Sequence, residues 1–145
     1  MGIMTFVTLE RPIRGLKDDM SGKALAWCQL QVDALAQRLK LRPLDDFISC
    51  PPEDLAELME DLKTPTGEAI ELPEEQWFDA EDGLRTVRGL LAHLRENPAE
   101  LAKLDRVDRD DPGLGDAVVE DLESAERLLS AAAKRKVRFH LTCTY

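Results

Sequence analysis

Residues 137–145 alternate without a break. Val137, Phe139, Leu141, Cys143 and Tyr145 fall on one side of an extended chain, and Arg138, His140, Thr142 and Thr144 on the other. A period of two describes a strand with one face on a core and one toward water. Such a strand leaves its backbone donors and acceptors unmatched until it finds a neighbour. The segment best suited to that role is Ile3–Leu9, rich in β-branched and aromatic residues and stopped by Pro12 and Gly15. The two ends of the chain are therefore expected to pair. This predicts an α+β class: a helix-rich single domain over residues 1–145, with a small sheet that includes both terminal strands and helices on at least one face. A chain of 145 residues is long enough to hold such a core without staples.

Between the ends the apolar period changes to that of helices. Leu25, Cys28, Val32, Leu35 and Leu39 form one stripe after Ser21, a plausible N-cap, while Gln29, Asp33, Gln37 and Lys40 lie off it. Pro43 opens a short apolar turn with Leu44, Phe47 and Ile48. Pro51-Pro52 predicts the start of a further helix, with Leu55, Leu58, Met59 and Leu62 on one arc and Glu53, Glu57, Glu60 and Asp61 nearly opposite. Lys63–Phe78 reads as loop, apart from a short strand at Ala69–Leu72. Asp79 is expected to cap a helix to about Glu96, with Asp82 in the capping-box position and Leu84, Val87, Leu90, Leu91 and Leu94 inward. Pro98–Leu104 reads as a short helix and Asp105–Gly115 as a polar turn region. Asp116 is expected to cap the last helix, whose stripe is Val118, Leu122, Ala125, Leu129 and Ala132. Lys134, Arg135 and Lys136 close it, where cations complement the helix dipole. No glycine serves the turn into the final strand, so one of these three is expected at positive φ.

Charge is distributed very unevenly. Asp45–Asp82 holds fourteen carboxylates against one cation, Lys63, a net −13 in a chain of formal charge −10. The other residues therefore sum to +3. Segregation of this kind makes a directional field and predicts a cationic protein partner, contacted through Glu53, Glu57, Glu60, Asp61, Glu71, Glu74 and Glu75. A solvated acidic face is the plainer alternative. Acidity argues against nucleic acid as a partner, since phosphate binding needs surplus cations. No apolar run approaches the roughly 20 residues of a membrane span. The first residues lack a cationic region followed by a long apolar core, so no secretory leader is expected, and Phe6 occupies the position where a myristoylation signal needs Ser or Thr. Three widely spaced cysteines without a Cys-x-x-Cys pair favour a reduced, cytoplasmic protein over a disulfide or zinc scaffold.

Catalytic motifs are weak. Cys143 and His140 are three apart on a strand and point to opposite faces, so they form no dyad. Cys50 precedes a predicted helix start, but Asp45, Asp46, Glu53 and Asp54 oppose its thiolate. His93 and His140 could each act as a general base, with a helix-contact or surface role as the simpler reading. Asp108–Gly113 fails as a calcium loop, because Pro112 and Val119 stand where ligands are required. Gly113-Leu114-Gly115 lacks the third glycine of a dinucleotide fingerprint, and neither a phosphate loop nor a Gly-x-Ser-x-Gly elbow occurs. No cofactor, metal or catalytic residue is assigned.

The stretch Gln76-Trp77-Phe78-Asp79 with Leu84-Arg85-Thr86-Val87-Arg88-Gly89-Leu90-Leu91-Ala92-His93-Leu94, and the ending Val137-Arg138-Phe139-His140-Leu141, resemble bacterial hypothetical proteins with no assigned activity. The layout, a first strand, central helices and a late helix running into a last strand, is loosely similar to YfbM-like proteins. The resemblance implies architecture and no site residue. Three functional readings follow: a non-enzymatic interaction protein, such as an immunity-type inhibitor of a basic protein; a small enzyme with a His/carboxylate site between sheet and helices; and a self-associating structural subunit.

Overall fold

The computed structural model describes residues 3–49 and 75–144. The helix expected after Pro51-Pro52, the short strand at 69–72 and Cys50 lie outside the described residues. The described chain runs β1 (Met4–Leu9), α1 (Lys23–Trp27), α2 (Gln29–Arg38), a 3-10 turn (Leu44–Phe47), α3 (Ala80–Glu96), α4 (Pro98–Asp105), α5 (Leu114–Lys134) and β2 (Phe139–Thr144). The two strands are antiparallel neighbours in register from Met4 opposite Thr144 to Leu9 opposite Phe139. The α+β class and the pairing of the chain ends are as the alternation predicts.

Val7, Phe139 and Leu141 face the core, and Thr5 is buried beside them. The other face departs from expectation. His140 is 0% and Thr142 9% exposed, although alternation assigns them to water. Part of the cover is Trp77, whose ring lies 4.4 Å from the imidazole of His140. Periodicity reports which residues share a face, not whether a distant segment returns to cover it.

The second edge of β2 is also engaged. Phe78 and Phe139 exchange backbone hydrogen bonds of 2.7 and 2.9 Å, and the Ser49 amide donates to the carbonyl of Leu141 at 3.0 Å. Phe47, Phe78 and Phe139 meet there, Phe47 lying edge-on to Phe78 at 5.5 Å and tilted on Phe139 at 5.3 Å. The Arg42 guanidinium covers Phe47 at 4.6 Å and Phe78 at 5.3 Å, a cation–π arrangement. Helix α3 packs close to this cluster, because a Cβ on Gly83 would stand 2.3 Å from the Phe139 ring.

The predicted stripes are buried as read. Leu84, Val87, Leu90, Leu91 and Leu94 of α3 meet Val118, Leu122, Ala125, Leu129 and Ala132 of α5 in the central layer. The first stripe spans two helices, because the chain breaks at Cys28 between α1 and α2.

Helix starts differ from the sequence reading in an instructive way. Gly22, not Ser21, is the N-cap of α1, at φ 75, with no side-chain bond of its own. A Cβ there would lie 2.1 Å from the Thr5 carbonyl oxygen, so β1 and α1 approach this closely only at glycine. The capping acceptor comes from α5: the buried Asp121 carboxylate accepts from the amides of Gly22 and Leu25, each at 3.1 Å. Similarly, α5 starts at Leu114, and Asp105 rather than Asp116 accepts from the Gly115 amide at 2.7 Å. Only Asp79 caps locally as expected, accepting from Glu81 at 3.1 Å. Lys136 takes the positive φ, 54, that the turn into β2 requires.

Asp121 therefore ties α5 to α1 through two charge-assisted hydrogen bonds. Asp121→Ala is expected to lower stability by roughly 3 kcal/mol in urea unfolding, and Ser21→Ala by less than about 0.5 kcal/mol. Equal effects at the two positions would refute the long-range cap.

Candidate functional site

The site is built where the acidic stretch joins the sheet. Of the seven expected partner-binding residues, Glu53, Glu57, Glu60, Asp61, Glu71 and Glu74 lie outside the described residues. Glu75 is described, and its Oε1 lies 2.8 Å from Nε2 of His140. At the next residue the Gln76 amide donates to the Ser49 hydroxyl at 2.9 Å. Residues 49 and 76 are thus neighbours on the outer edge of β2.

Strand geometry explains the composition of the polar row. His140 and Thr142 share a face because they are two apart, and register places Thr8 opposite His140. Thr142 Oγ1 is 2.6 Å from Thr8 Oγ1 and 3.5 Å from Nδ1 of His140. One neutral tautomer suits all three contacts: Thr8 donates to Thr142, Thr142 donates to Nδ1, and Nε2–H donates to Glu75. The 2.8 Å contact dominates, since a hydrogen bond at 3.5 Å is weak. Glu75 and the Trp77 ring therefore orient the imidazole.

As chemistry, a carboxylate-oriented imidazole is half of a general-base device. Neither described cysteine shares its face. Cys143 belongs to the opposite face, paired with Thr5. Cys28 is fully buried in the helical core; burial, with the carboxylates of Asp105 and Asp111, pushes its thiol up to about 11. His93 is a helix-end residue: Asn97 donates to its carbonyl at 2.9 Å and sits 3.4 Å from its Nδ1. Neither histidine lines the larger clefts bounded by described residues.

Several carboxylates that looked solvated act as internal acceptors. Asp33, off the apolar stripe, accepts from the Leu44 amide at 2.8 Å and so fixes the 3-10 turn. Burial raises its pKa above 3.8, opposed by the backbone hydrogen bond from Leu44. Asp108 and Asp111 accept from the amides of Asp110 and Gly113, folding their loop around its own backbone. Among the described residues no cluster of three or more His, Cys, Asp or Glu is placed to hold a metal ion.

Two outcomes follow. His140→Ala leaves a void under Trp77 and an unmatched Glu75, so it is expected to cost about 2–4 kcal/mol in urea unfolding, whereas Glu75→Gln, which keeps an acceptor, costs about 1 kcal/mol. For Asp33 the folded state holds its proton at pH values where the unfolded chain has released it, so its contribution is lost as pH rises from 3.8 through the raised folded value. Asp33→Asn keeps the acceptor for Leu44 and removes the titration; its unfolding free energy relative to the wild type should rise across that window, and a parallel pH profile would contradict the assignment.

Comparison with protein-family models, with curated proteins and with solved structures gives no match to this chain, so nothing in them bears on the likeness to YfbM-like proteins.

Proposed function

We propose that this is a non-enzymatic interaction protein of the cytoplasm whose acidic stretch, residues 45–82, binds a cationic protein, as an immunity-type inhibitor binds a basic target. The supporting observation is the segregation of charge along the sequence. Among the described residues Arg38 and Lys103 meet Glu100, Arg88 meets Glu126, Arg95 meets Glu123, Arg127 meets Asp19 and Arg138 meets Glu10. All these carboxylates lie outside the acidic stretch. Among the described residues the Arg42–Asp46 ion pair and the His140–Glu75 hydrogen bond reach into it. Residues 45–82 carry a net −13 against +3 for the rest of the chain, a segregation that makes a directional field. A partner of opposite charge would be steered to it, with association weakening as salt rises. Glu53, Glu57, Glu60, Asp61, Glu71, Glu74 and Glu75 are the proposed contacts. Among the described residues no helix is long and apolar enough to cross a membrane, and Cys28 and Cys143 are free thiols, in keeping with a reducing compartment.

One contact favours a second reading, a small hydrolytic or acid–base enzyme: the Glu75–His140 pair. The complete burial of His140 beside Trp77, away from either described thiol, weighs against that reading.

The test is capture on the immobilised protein, with the Glu57→Lys/Glu60→Lys/Asp61→Lys variant alongside. A basic protein should be retained at about 0.05 M salt and released near 0.5 M, where the Debye length falls to a few ångströms. The purified partner should then associate at least tenfold more slowly with the variant, on the order of what steering contributes. Equal association rates for variant and wild type would overturn the reading.

A further inference from the structure

A cleft of about 550 Å³ lies where the β1–α1 loop, Ile13–Leu16, crosses the C-terminal half of α5. Its wall carries Arg14, Arg127, Lys134 and Arg135 with Glu123 and Glu126. The two glutamates are matched elsewhere, by Arg95 at 3.5 Å and Arg88 at 3.9 Å, and Arg127 pairs with Asp19. Among the described residues Arg14, Lys134 and Arg135 have no carboxylate partner. Arg11 adds a fourth unmatched cation at the same end, donating to the carbonyl of Arg135 at 3.1 Å. The α5 dipole accounts for Lys134 and Arg135. It does not account for Arg14, which reaches the cleft from a different element. The result is a positive pocket on a molecule of net charge −10.

Ile13 and Leu16 also wall a second, mostly apolar groove of about 470 Å³, with Phe6, Val7, Leu9 and Leu128 in its wall and Thr8, Arg11 and Asp18 as its polar members. Each volume falls in the range of small-molecule sites, about 300–1,000 Å³. A cationic cleft and an apolar groove that share a wall suit one molecule with an anionic head and an apolar tail. Glu123 and Glu126 remain in the head cleft, so a second negative charge on the ligand would meet like charge. A carboxylate is a single charge with two oxygens that arginine grips bidentately.

We propose that this junction is a binding site for a free long-chain carboxylate, its head on Arg14, Lys134 and Arg135 and its chain laid over Ile13 and Leu16. The site is of opposite sign to the acidic stretch and independent of its role.

The test titrates the full chain with dodecanoate below its micelle concentration, with acetate and dodecyl maltoside as head-only and tail-only arms, by calorimetry and methyl NMR. Dodecanoate should bind at least tenfold more tightly than either, moving the Ile13 and Leu16 resonances. Arg14→Gln/Lys134→Gln, two exposed side chains without partners among the described residues, should weaken dodecanoate about tenfold, as loss of two surface charge contacts allows, and leave the melting temperature and dodecyl maltoside binding unchanged. The proposal fails if the maltoside binds as tightly, if the double variant binds dodecanoate like the wild type, or if the shifts gather instead at the exposed Trp27 and Leu30.

Discussion

Strand β2 makes backbone hydrogen bonds along both edges, and the rest of the fold is arranged around that fact. One edge takes the N-terminal strand; the other takes Ser49 and Phe78, residues within the acidic stretch. An edge left open on so short a sheet would expose donors and acceptors to any passing strand. Closing it from both sides also brings three phenylalanines together, which explains why α3 needs glycine at position 83. The polar row of β2 then comes under cover as well, and a histidine read as solvent-facing becomes the acceptor's partner for Glu75.

A second clasp works at the start of α1. Asp121 is a buried carboxylate in the middle of the longest described helix, a position where a charge is costly unless it is hydrogen-bonded. Two amides at the start of α1 supply those bonds, and Gly22 permits the close approach of β1. The same solution recurs at α5, whose first turn is capped from α4 by Asp105. In this protein helix starts are fixed by tertiary contacts as much as by neighbouring sequence.

That distinction explains what was legible beforehand. The strands, the apolar stripes of α3 and α5, the break at Asn97-Pro98 and the positive φ before β2 all follow from local periodicity or stereochemistry, and they are visible in the sequence. Ser21 and Asp116 were reasonable caps by spacing, yet the caps came from Asp121 and Asp105, about a hundred residues and ten residues away in sequence. Asp121 had one local signal: an acid falling within the buried arc between Val118 and Leu122. The Glu75–His140 contact, spanning 65 residues, had none, since alternation cannot say which distant side chain will cover a strand face. Charge segregation was legible directly, because it is a property of composition along the chain.

The hydrogen bond between Gln76 and Ser49 has a topological corollary. Where two points of a chain are fastened side by side to a folded body, the cost of closing whatever lies between them grows only with the logarithm of its length. Lengthening or shortening the sequence between those two points therefore costs little in closure entropy.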